Sequence, residues 1–240
     1  MKVAKRFSLG LLLMMFVVGC GTVRPLMPVA ESLESASVLQ VKRARTSLSS
    51  KPLSFGEWQM THFERDGFPG ETRWSFGTWP VWITKSKGSA AYRFVMSPTD
   101  GDQWACNCQH KLNRRDLGLG ILGEAELTYE ESLECDLQRI GDESVWKLQV
   151  NGSLAIGGEG YSGTLADESH SLSLAPVHEI EGLGRVPGPP MGYHFVREGH
   201  EVASAELMRP GMVRIGDDAG ADRDVIATAM AALLMQPQAQ

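Results

Sequence analysis

From Phe55 onward the apolar residues of this chain recur mostly at every second position. In "AYRFVMS" (91–97), Tyr92, Phe94 and Met96 fall on one side, with Arg93 and Val95 on the other. That period is the mark of a β-strand. The turn "PTDGD" follows, and "QWACNCQH" returns with Trp104, Cys106 and Cys108 on a single face, which predicts a hairpin. "SLECDLQ" places Leu133, Cys135 and Leu137 on one side. "VWKLQVNGSLAIGG" does the same for Trp146, Leu148 and Val150, and then offers Asn151-Gly152, a favoured two-residue hairpin turn. "HSLSLAPV", "GYHFVREGHEVASAEL" with a turn at Glu198-Gly199, and "GMVRIG" extend the series, and no segment repeats at a fixed period. The expectation is a mainly β fold, an antiparallel sheet closed as a barrel or folded as a sandwich.

Both ends of the chain depart from this pattern. "DRDVIATAMAALLM" (222–235) has a possible Asp cap, four Ala, and no Gly or Pro inside. Val225, Ile226, Ala229, Met230, Leu233 and Leu234 make a broad apolar surface interrupted only by Thr228. A helix apolar on nearly every side is a buried one, and this one is too short to cross a bilayer. At the other end, Lys2, Lys5 and Arg6 precede an apolar stretch from Phe7 to Val18, broken only by Ser8 and Gly10. A charged start and a short apolar run are the parts of a secretory signal peptide.

Val17-Val18-Gly19-Cys20 ends that run with a small residue directly before a cysteine. It resembles the lipobox of bacterial lipoproteins, which implies acylation of Cys20 as the mature N-terminus. The position after the cysteine is Gly21 rather than Asp, which in those families implies the outer membrane. A second likeness covers roughly the last 45 residues. "GYHFVREGHEVASAELMRPGMVRIG" followed by "DRDVIATAMAALLM" is similar to the closing unit of tubby C-terminal-like and scramblase-like barrels, in which a hydrophobic helix threads an antiparallel barrel. No diagnostic motif of that family matches residue by residue, so no lipid-binding residue carries over.

Three parts follow: a signal peptide at 1–19, a lipid-anchored tether at 20–52, and a β-rich domain with its C-terminal helix at 53–240. The tether reading rests on "ESLESASVLQVKRARTSLSS", rich in Ser and charge and free of aromatics, with a short helix expected around Glu31 to Val41. Without the signal peptide the net charge is about −9, with no basic stripe. Such a balance repels nucleic acid.

The cysteines carry the clearest chemistry. With Cys20 acylated, Cys106, Cys108 and Cys135 remain, and in an oxidising envelope the expectation is a disulfide between Cys135 and one of the other two. Which one is left open. Cys-x-Cys could bind zinc or exchange disulfides, but there is no evident fourth ligand and no Cys-x-x-Cys. "WSFGTWPVW" gathers Trp74, Phe76, Trp79 and Trp82, either as core of the β-domain or as a contact surface for glycan or lipid. "GLGILG" (118–123) matches Gly-x-Gly-x-x-Gly without the βαβ context of a dinucleotide site, and reads as a Gly-rich loop. His62, His110, His170, His178, His194 and His200 lack metal-ligand spacing, although His194 and His200 flank a hairpin. The four Asp residues of "GDDAGADRD" fit a turn and helix cap rather than a calcium loop.

No catalytic motif stands out. The expectation is a non-catalytic envelope lipoprotein with a binding or structural role, without cofactor or metal. Its partner would be an envelope protein, a glycan or a lipid. Lipid handling by a tubby-like barrel is the alternative, and an envelope enzyme the third.

Overall fold

The computed structural model describes residues 27–43, 52–67, 70–75, 81–119, 124–155, 158–186, 188–208 and 211–236. A 3₁₀ turn at Glu31–Leu33 leads into β1 (Leu39–Gln40) and β2 (Lys42–Arg43), then β3 (Leu53–Phe55), β4 (Trp58–Asp66) and β5 (Gly70–Ser75). Three long strands follow: β6 (Val81–Pro98), β7 (Trp104–Leu119) and β8 (Glu124–Arg139). Next come β9 (Val145–Ala155), β10 (Gly158–Ala166) and β11 (Ser171–Val177). A small excursion contains β12 (Glu179–Ile180) and β13 (Gly184–Arg185). The chain ends with β14 (Gly192–Arg197), β15 (His200–Glu206), β16 (Met212–Ile215), a 3₁₀ segment Asp217–Asp222 and helix α1 (Arg223–Met235).

All main-sheet pairs are antiparallel, in the order β1-β16-β15-β14-β11-β10-β9-β8-β7-β6-β4-β3-β2, with β5 on β6. The two ends of that path are one piece of chain. Leu39 and Gln40 pair with Val213 and Met212, while Lys42 and Arg43 pair with Ser54 and Leu53. Between them the Val41 N–H donates to the Gly211 carbonyl at 3.0 Å. Residues 39–43 therefore act as one stave that closes the sheet into a nearly complete barrel of 12 strands. Of the two architectures the alternation allowed, the barrel is the one formed.

Alternation decides what faces inward. Tyr92, Phe94, Met96, Cys106, Cys108, Leu133, Leu137, Leu148 and Val150 are all buried in one core, as the period of two predicts. The space they enclose is filled by α1. Every residue from Val225 to Met235 is buried, Thr228 included, whose hydroxyl donates to the Asp224 carbonyl. The Ala positions let the helix sit close to the surrounding strands, and the Leu and Met side chains fill what remains.

Some expectations shift. Within the stretch 20–52 read as a tether, residues 27–43 are folded into the barrel: Met27, Leu33 and Val41 are buried, and only Glu31–Leu33 is helical. The apolar residues spaced through this Ser-rich segment find cover on distant strands, which local composition does not reveal. Asn151-Gly152 is not a turn. Both lie inside β9, held on one side by Ser132 and Glu131 and on the other by Ser162 and Tyr161. Here glycine serves close approach, since a Cβ at 152 would lie 2.5 Å from the Tyr161 ring. The turn at Glu198-Gly199 is as expected, with both residues at positive φ (50° and 84°).

Candidate functional site

Strand directions define two ends. Asp66, Val177, Gly192, Glu206 and Met212 mark one rim, here the mouth; Trp58, Pro98, Arg139 and Arg197 mark the base. The helix enters at the base, where the Trp58 indole donates to Asp224 at 2.9 Å and Arg197 pairs with Asp222 at 2.5 Å. These contacts employ the acidic cluster as helix anchorage; Asp222 sits at the N-cap position without a side-chain capping bond. The helix ends at the mouth.

A buried polar cluster closes that end. On β8, Tyr129 and Glu131 share the inward face, as does His110 on β7. His110 Nε2 lies 2.6 Å from Glu131 Oε1, the Tyr129 hydroxyl donates to Glu131 Oε2, and the Gln236 amide donates to Oε1. Tyr92 donates to the Ala232 carbonyl at 2.8 Å, satisfying one of the acceptors a helix leaves at its C-terminus. A carboxylate beside that negative dipole end needs such donors. Burial, together with the neighbouring Glu131 charge, pushes the Tyr129 phenol far above its usual range, so it remains a donor. The cluster fastens the helix at the mouth. Its signal in the sequence is parity: His110 continues the inward series of Cys106 and Cys108.

The cysteines sit deeper in the core. Cys108 and Cys135 are directly opposed on β7 and β8, with Cα atoms 4.1 Å apart, and form the disulfide. Cys106 is the free thiol, its sulfur 3.4 Å from that of Cys108. Burial, with the charge of Asp136 added, pushes the Cys106 thiol well above its ordinary range and leaves it a poor nucleophile. The three sulfurs lie within 4.8 Å of one another, so a metal would require the disulfide to be reduced.

His194 does not approach His200 in the predicted way. It pairs across the hairpin with Ser204, while its Nδ1 faces Glu201 Oε2 at 2.8 Å beside a bulge at Phe195/Val196. On the outer wall, strands β4 and β6 to β9 form a shallow polar groove. It is lined by Asp66, Arg93, Asn107, Glu134, Asp136 and Lys147.

The tryptophan segment lies past the mouth. The upper parts of β6, β7 and β8 continue beyond the rim as an arm, with β5 added at one edge. Trp74 is in register with Ile83, and Ser75 with Trp82; Val81 is opposite Leu119, and Trp82 opposite Gly118. Trp74 and Trp82 thus occupy the arm's far end. Phe76, Trp79, Cys20 and most of the Gly-rich loop (120–123) lie outside the described residues, as does the signal peptide. No helix among the described residues is long and apolar enough to cross a membrane. Comparison with known proteins adds no relative: no protein-family model, curated protein or solved structure matches this chain.

Proposed function

We propose that this chain is a lipid-anchored envelope domain, held in the outer membrane through Cys20, with a non-catalytic binding or structural role exercised from the outside of its barrel. The observation that supports this reading is the filled lumen. Barrels of this size commonly hold a ligand or a channel inside, but here the interior is occupied by residues 225–235 of the chain itself. Contacts with an envelope protein, glycan or lipid then fall on the outer wall, the rims or the arm. The test begins at the anchor. Mass spectrometry of the mature protein should find a diacylated or triacylated Cys20 at its N-terminus, and Cys20→Ala should leave an uncleaved, mislocalised precursor. An unmodified residue other than Cys20 at the mature N-terminus overturns the lipoprotein reading.

Lipid handling by a tubby-like barrel is a second reading, favoured by the helix inside an antiparallel barrel. It expects lipid bound in defined stoichiometry to the folded domain. Native mass spectrometry of the detergent-purified protein checks this, and a mass that accounts only for the covalent acyl chains rejects it.

A further inference from the structure

We propose that the mouth end of the barrel faces a lipid bilayer and touches it at two points besides the anchor: the end of the β5–β8 arm and Leu183. The proposal rests on the lipoprotein reading and specifies the surface that meets the membrane.

The direction comes from Met27. It is buried at the mouth with Val177 and Met191, at the base of the β12–β13 excursion, and its N–H donates to Glu206 at 3.4 Å. Cys20 precedes it by seven positions. At roughly 3.3–3.6 Å per residue, an acylated Cys20 lies at most about 25 Å from this rim. The bilayer must then be on the mouth side. The arm leaves the same rim: from Ala91, opposite Asp66, to Val81 is ten residues, or about 33 Å along the strand. The arm is thus long enough for its end to reach a membrane that holds the anchor.

The residues placed there suit that contact. The last rows on β5 to β7, Trp74, Ser75, Val81, Trp82, Ile83, Leu117, Gly118 and Leu119, carry no charge, and β8 adds Ala125 beside Leu117 and a single acid, Glu124, beside Gly118. Tryptophan is enriched where hydrocarbon meets headgroups. Directly behind, Arg73, Lys85, Lys87, Arg114 and Arg115 outnumber Glu71 and Asp116 on β5 to β7, in a chain that is acidic as a whole. Cations at that depth match anionic headgroups, while Glu124, Glu126 and Glu130 confine the basic side to β5–β7. The excursion between β11 and β14 leaves the same rim and presents Leu183, 79% exposed and the most exposed large apolar side chain among the described residues. An apolar side chain so placed enters a bilayer at the gain it forgoes in water.

The experiment uses the mature protein purified from cells and reconstituted into phosphatidylethanolamine–phosphatidylglycerol vesicles with brominated acyl chains. Trp58, Trp104 and Trp146 are buried in the barrel, so bromine quenches only tryptophans outside it. We expect strong quenching and a blue-shifted emission, both reduced by more than half in the Trp74→Ser/Trp82→Ser protein. Leu183→Lys, at an exposed site, should weaken quenching with an unchanged melting temperature. An acylated wild-type protein whose tryptophans escape quenching overturns the contact and leaves the anchor intact. Equal quenching in the wild type and the tryptophan variant also overturns it. If mass spectrometry finds no acyl chain but quenching persists, the anchor reading falls and the bilayer contact stands.

Discussion

At the residue scale, the three cysteines show how much a period of two can reveal. Parity alone puts Cys106, Cys108, His110 and Leu112 on the inward face of β7, but not which of two cysteines stands directly opposite Cys135. That depends on strand register, fixed by non-local pairing along the whole of β7 and β8. Among the three cysteines of the barrel, none should react with iodoacetamide at pH 8 in the native protein, and after denaturation without reduction only Cys106 should; labelling at Cys108 or Cys135 contradicts the pairing. His194 gives the pH dependence. Burial lowers its pKa below 6.5, only partly opposed by the Glu201 charge. The unfolded chain therefore takes up the proton more readily than the folded one, and stability falls as pH drops from about 7 through 6.5 and below. Urea midpoints measured between pH 5 and 8 should show this slope in the wild type and a shallower one in His194→Gln.

At the element scale, the helix was the most legible feature. Its apolar residues on nearly every side could be satisfied only by burial, and all of Val225 to Met235 are buried. Each large side chain there contributes roughly 1.5–3 kcal/mol, against a typical net stability of about 5–15 kcal/mol. Truncation after Ala221 should give an insoluble or unfolded product, and Met230→Ala should cost about 2–5 kcal/mol in chemical denaturation. Ala229→Asp, which places an unpaired charge at a fully buried position, should abolish cooperative melting. An unchanged melting temperature in the truncated protein would mean the helix is no part of the core. Of the polar clasp around Glu131, only the inward parity of His110 was legible. Its members come from three separate elements, and nothing in the local sequence marks Glu131 apart from the other acids of β8.

At the scale of the whole molecule, the closing stave was the feature that sequence reading could not reach. Residues 39–43 look like part of a polar linker because each holds only one or two hydrogen-bonded partners. Those partners are strands β3 and β16, the latter some 170 positions away. Val41→Pro removes the N–H that bonds Gly211 and strains the stave, and should cost about 3 kcal/mol or more, where a passive tether would tolerate proline. Thermal melts of the two proteins decide it. The core also has an order in time. Its centre is supplied by residues 225–235, and its last wall joins the earliest staves to one of the latest strands. While that final stretch is still inside the ribosome, the growing polypeptide has a wall with nothing to close around. The barrel can therefore close around its core only after residues 225–235 have been made.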